Sequence, residues 1–156
     1  MRHWAIRYTV GLSVLLGLVI LSSTPAAAQD AGVRAGISVD PDQFYFGGHL
    51  ETSPLIDRLH FRPNLEVGFG DDLVLLGANM EFVYKFPRKN GWGIYAGAGP
   101  ALNVFMFDDD AGGGTDTEAG LNILVGVENS RGLFFEFKIG AIDSPDFKFG
   151  VGWTFR

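Results

Sequence analysis

The chain has 156 residues, 47% of them apolar, with 22 glycines and no cysteine: enough for one domain, with no disulfide staple, thiolate metal cage or cysteine nucleophile. Its 18 acidic residues outweigh 12 basic ones, and the longest basic block is the Arg88-Lys89 pair, so the charge that would hold a nucleic-acid backbone is missing.

Residues 1–28 read as a secretory signal peptide. Arg2 and Arg7 make the positive start, Val10 to Leu21 the apolar middle, and Ala26 and Ala28 the small-residue end, with cleavage expected before Gln29. The apolar stretch falls short of the roughly 20 residues a helix needs to cross a bilayer, which speaks against an anchor. Cleavage removes two basic and no acidic residues, leaving 10 against 18 and a net charge of −8.

After Gln29 the apolar residues recur at period two, the strand period, and nowhere sustain helical spacing. The pattern predicts eight strands at 32–39, 43–51, 58–70, 73–86, 92–107, 118–128, 132–141 and 145–155, parted by Gly, Pro, Asp and Asn clusters. Short sequential connections favour an antiparallel up-and-down meander. In the last strand Phe147, Phe149, Val151, Trp153 and Phe155 share one face and Lys148, Gly150, Gly152 and Thr154 the other. Pro63 and Pro100 fall inside strands, where the missing N–H predicts bulges or breaks.

Alternation alone does not say which face is inside, because a soluble lipocalin-like barrel turns its apolar face inward and a membrane barrel turns it out. Glycine decides. Gly36, Gly47, Gly68, Gly77, Gly97, Gly99, Gly126, Gly150 and Gly152 are among those on the polar face, and Gly48 alone lies on the apolar one. A solvated surface gains nothing from strand-weakening glycines, whereas the interior of an eight-stranded barrel, just wide enough for side chains, needs residues of almost no volume. Charge agrees: Arg34, Arg62, Lys85, Lys138 and Lys148 on that face stand against Glu51, Glu66, Glu81, Glu128 and Glu136, five and five. Buried charges persist when paired, so these ten are read as a structural ion-pair network filling a lumen and not as catalytic carboxylates. Aromatic residues near strand ends, such as Phe44, Tyr84, Trp92 and Trp153, suit interfacial girdles.

The connections sort by charge. With the mature N-terminus in the periplasm, the loops at 40–43, 71–72, 108–118 and 142–146 lie outside and hold Asp40, Asp42, Asp71, Asp72, Asp108, Asp109, Asp110, Asp116, Glu118, Asp143 and Asp146. The inner ends hold Arg58, Arg88, Lys89, Arg131 and Arg156 against Asp57. We read the acidic set as solvated loops in preference to a divalent-cation bridge to lipopolysaccharide phosphates. Asp108 to Asp116 fails the EF-hand pattern, since Ala119 stands at its twelfth position. No Gly-x-Ser-x-Gly, His-Glu-x-x-His or phosphate-loop motif occurs, and His49 and His60, near Glu51 and Glu66, lack a third ligand for a metal; no cofactor or metal is expected.

Two runs carry a resemblance. Gly-Ile-Tyr-Ala-Gly-Ala-Gly-Pro-Ala-Leu at 93–102 and the closing Phe-Gly-Val-Gly-Trp-Thr-Phe at 149–155, with the signal peptide, resemble the small outer-membrane β-barrel superfamily that contains the OmpA membrane domain, OmpX and the opacity proteins. The resemblance implies an eight-stranded transmembrane barrel in a Gram-negative outer membrane, monomeric, bathed in lipid and lipopolysaccharide. It also implies that barrel-insertion machinery reads Val151, Trp153 and Phe155, although Arg156 follows the aromatic residue that ends the chain in this group. The group's enzymatic relatives, lipid A deacylases and palmitoyltransferases, are the lesser alternative, because the deacylase His-x-Ser-Asn run is missing. The expectation is an integral outer-membrane barrel with a structural or surface-interaction role, no wide pore and no catalysis; the competing class is a soluble periplasmic carrier of apolar ligands.

Overall fold

The computed structural model describes residues 29–108 and 113–156. The expected signal cleavage at Ala26 and Ala28, and Asp109 and Asp110, lie outside the described residues. Eight strands follow one another: β1 (Asp30–Val39), β2 (Gln43–Glu51), β3 (Leu59–Gly70), β4 (Leu73–Lys85), β5 (Trp92–Phe107), β6 (Gly114–Asn129), β7 (Leu133–Ile142) and β8 (Phe147–Phe155). Each pairs antiparallel with the next, and β8 returns to β1 from Ala31↔Phe155 to Val39↔Phe147, closing a barrel. Closure leaves no open sheet edge along the paired region, the condition for strands to cross a bilayer.

Turn chemistry sets the short links. Asn90-Gly91 takes positive φ at both residues, 53° and 79°, the geometry that matches the twist of flanking strands between Lys89 and Trp92. Asp72 joins β3 to β4 with φ 57°.

The facing expected from glycine holds. Outward-pointing Phe44 is 64% exposed and Met80 57%, whereas inward Arg62 is 1% and Glu81 0% exposed. None of the outward strand side chains is charged. The inward glycines admit their neighbours: a side chain at Gly36 or Gly150 would strike Tyr45, one at Gly126 would strike Tyr95, and one at Gly152 would strike Phe134. Gly48, facing outward, has nothing nearer than the Gly32 carbonyl at 3.5 Å.

Two expectations are corrected. The strands are neither bulged nor broken at the prolines, since register is the same on both sides of each. Instead the ladders lapse: β2–β3 pairing ends at His49↔Asn64, before Pro63, and β4–β5 pairing skips Met80 and Glu81 opposite Pro100 and Gly99. A proline brings no N–H to the neighbour, and the intact ladder on its other side holds the strand in line. Among the described residues the register between paired strands shifts between Leu121 and Asn122, where Leu121 faces Ile142 and Asn122 faces Gly140. Finally, β6 starts at Gly114 and not at 118, so Asp116 and Glu118 belong to a strand paired with Phe105 and Asn103.

Candidate functional site

The lumen holds the ionisable residues, sorted by height into two groups that the composition had merged. At mid-height Glu66 accepts from Lys148 (2.8 Å), Lys138 (3.1 Å) and Arg34 (3.4 Å). Glu136 accepts from Arg34 (2.9 Å), from Arg62 and from the Tyr95 hydroxyl (2.8 Å), with Lys138 at 3.5 Å. Glu81 accepts from Lys138 at 2.5 Å and lies 3.8 Å from Arg62. β1, β3, β4, β7 and β8 each supply members, so the network ties strands from all round the barrel. Rings complete it: Arg62 lies 4.8 Å from the Tyr95 centroid, Lys148 5.2 Å from Tyr45 and Arg34 5.5 Å from Phe134.

The second group closes the end where β1 begins and β8 finishes. Lys85 donates to Glu51 and to Glu128 (3.1 Å), and Glu128 also accepts from Arg88 (2.7 Å) and Arg156 (2.9 Å). Arg156 reaches Asp30 at 3.5 Å as well, linking the last residue to the first strand. All ten charged residues expected in the lumen are there. Arg88 and Arg156, assigned by sequence to the turns, are two more: their side chains are long enough to fold back over the mouth.

Toward the opposite end, uncharged polar groups take over. Asn122 donates to Asn79 and Asn79 to Asn64, each at 2.7 Å, and Asn103 donates to the Asp143 carbonyl (2.9 Å) and the Ser144 hydroxyl (3.1 Å), drawing the 143–146 loop over the opening. The two histidines do not meet. His49 Nε2 pairs with the Thr154 hydroxyl at 3.1 Å, and His60 Nδ1 donates to the Thr52 carbonyl at 2.8 Å. Among the described residues no group of three His, Asp or Glu is set to hold a metal.

Tyr45, Tyr95 and Phe134 are not assigned to the site from sequence, and His49 is weighed there only as a metal ligand. A signal for them exists: each has inward parity and lies against a glycine, Gly36, Gly126, Gly152 and Gly32 respectively.

A closed eight-stranded meander, apolar outside and ion-paired within, is the architecture of a small transmembrane β-barrel. Solved structures share it. The N-terminal β-barrel domain of Pseudomonas aeruginosa OprF superposes with a TM-score of 0.65 at 15% identity, covering 81% of this chain and 96% of that one. Neisserial surface protein A gives 0.66 at 16% identity over 81% and 94%. At that identity the likeness is one of fold. No protein-family model and no curated protein sequence matches the chain.

Proposed function

We propose that the mature chain is a monomeric integral protein of a Gram-negative outer membrane, with a structural or surface-interaction role and no wide pore. In this reading residues 1–28 are the cleaved export signal, and insertion machinery recognises the outward row Val151, Trp153 and Phe155. The observation that carries it is the pairing of an outward face without charge with a lumen of ion pairs: water is the wrong solvent for the first and lipid the right one. A carrier of apolar ligands would need the reverse arrangement. The carboxylates of the lumen are each engaged by cations or hydroxyls, which favours a scaffold over an enzyme. The end bearing Asp40, Asp71, Asp72, Asp108, Asp143 and Asp146 then faces outward among lipopolysaccharide, and Arg58, Lys89 and Arg131 face the periplasm.

Fractionation of cells expressing the full chain, followed by gel electrophoresis with and without heating, tests the reading. We expect the protein in the outer-membrane fraction with a mobility that changes on boiling, as a closed barrel opens. A soluble periplasmic product of unchanged mobility overturns it.

A further inference from the structure

The seven charges at mid-lumen do not cancel. Arg34, Arg62, Lys138 and Lys148 bring four positive charges, Glu66, Glu81 and Glu136 three negative ones, and none exposes more than 5% of its side chain. The group at the mouth beside Asp30 and Phe155 offers no surplus to offset this, since Lys85, Arg88 and Arg156 there meet Glu51, Glu128 and Asp30; toward the opposite opening the inward carboxylates of β6, Asp116 and Glu118, are exposed and half-buried, where solvent screens them.

Hydrogen bonding points to the same deficit. Arg34 Nε and Nη2 and Arg62 Nε are buried donors without an acceptor. Arg62 Nε has a counterpart, for the unpaired Glu81 Oε2 lies 3.8 Å away. The two Arg34 donors have none. His49, whose Nδ1 is also unpaired, meets the edge of the Phe134 ring on which Arg34 rests.

We propose that the mid-lumen binds one small monovalent anion, of the halide class, held by Nε and Nη2 of Arg34. An uncompensated buried charge is among the costliest features of a protein interior. Water satisfies the orphaned donors and leaves the charge; an anion satisfies both. The close approach of Tyr45, Tyr95 and Phe134 to the backbones of Gly36, Gly126, Gly150 and Gly152 crowds this level of the lumen, which favours a monatomic ion over a phosphate or carboxylate. The charge surplus and the orphaned donors lie in the lumen and are the same whichever membrane surrounds the barrel.

Crystals of the detergent-solubilised barrel soaked in sodium bromide test it directly: an anomalous peak is expected within hydrogen-bonding distance of Arg34 Nε or Nη2. In detergent at constant ionic strength, replacing gluconate by bromide should raise the unfolding temperature to a plateau. Lys148→Gln leaves three cations against three carboxylates and still donates to Glu66, so its unfolding should lose the halide dependence. A lumen without a peak, peaks on the surface alone, or unfolding of the wild type indifferent to bromide overturns the proposal. A variant that keeps the full halide shift overturns it too. Should Lys148→Gln fail to fold, the diffraction result on the unaltered protein decides.

Discussion

At the scale of single residues, the barrel is an exercise in volume and pairing. Gly36 and Gly48 are the same residue with opposite surroundings. A Cβ at Gly36 would lie 2.8 Å from both Gly150 Cα and Tyr45 Cζ, neither of which yields easily, whereas at Gly48 it finds ordinary contact. Gly36→Ala should therefore lose about 1–3 kcal/mol from overpacking, and Gly48→Ala should be neutral or gain about 0.5–1 kcal/mol from strand propensity, read from urea unfolding in micelles. Charge follows a similar rule of place. Glu136→Gln takes from Arg34 and Arg62 their shortest carboxylate contact, leaving them only the longer ones to Glu66 and Glu81, and is expected to cost about 3–5 kcal/mol. Arg88→Ala removes a pair whose arginine side chain is 39% exposed and should cost no more than about 1 kcal/mol. Comparable losses from the two would contradict the division into a sealed middle and a wet mouth. The identity of the ten lumen charges was legible, because parity along a strand assigns a face. Their partition into two groups was not: height in a barrel depends on the stagger between strands, and no single strand records it.

At the scale of elements, the strands were legible wherever one face is uniformly apolar and the other lines a crowded lumen, since both sides then impose the alternation. β6 shows where that ends. Its first residues, Gly114 to Thr117, pair with Phe107 to Val104 but read as a loop, because beyond the apolar belt nothing requires an outward residue to be hydrophobic. The register shift at Leu121 carries no residue signature either; it accompanies the inward fold of the 143–146 loop, whose Ser144 and Asp143 carbonyl reach Asn103 on a distant strand. The end of β8 yields a prediction of its own. Val151, Trp153 and Phe155 point outward, while Arg156 turns back to Glu128 and Asp30. Deleting Arg156 should leave assembly intact and lower stability by about 1 kcal/mol or less, as befits a partly exposed pair. Replacing Trp153 and Phe155 by serine should instead reduce the folded fraction in the outer membrane. If deletion of Arg156 alone abolishes assembly, the aromatic row is not the signal.

At the scale of the whole molecule, the net charge of −6 conceals its distribution. Acidic side chains crowd one end, basic ones the turns at the other, and between them runs an outward belt without charge around a lumen full of it. Each layer requires the next. The ion pairs survive because the belt and the closed strands exclude solvent, and in the membrane proposed for the barrel the belt would face lipid and not water. Depth is thus the variable that governs the cost of a charge on the outer face. Phe137 pairs with Val125 and Phe149 in the middle of β7, whereas Phe155 lies at the last step of β8. Arginine at position 137 should cost about 2–4 kcal/mol and at position 155 about 0–1 kcal/mol, since only the second side chain reaches the interface. Unfolding of the two variants in lipid vesicles measures the difference. In a soluble barrel both positions would be water-facing and both substitutions harmless, so equal and small losses would remove the membrane from the account altogether.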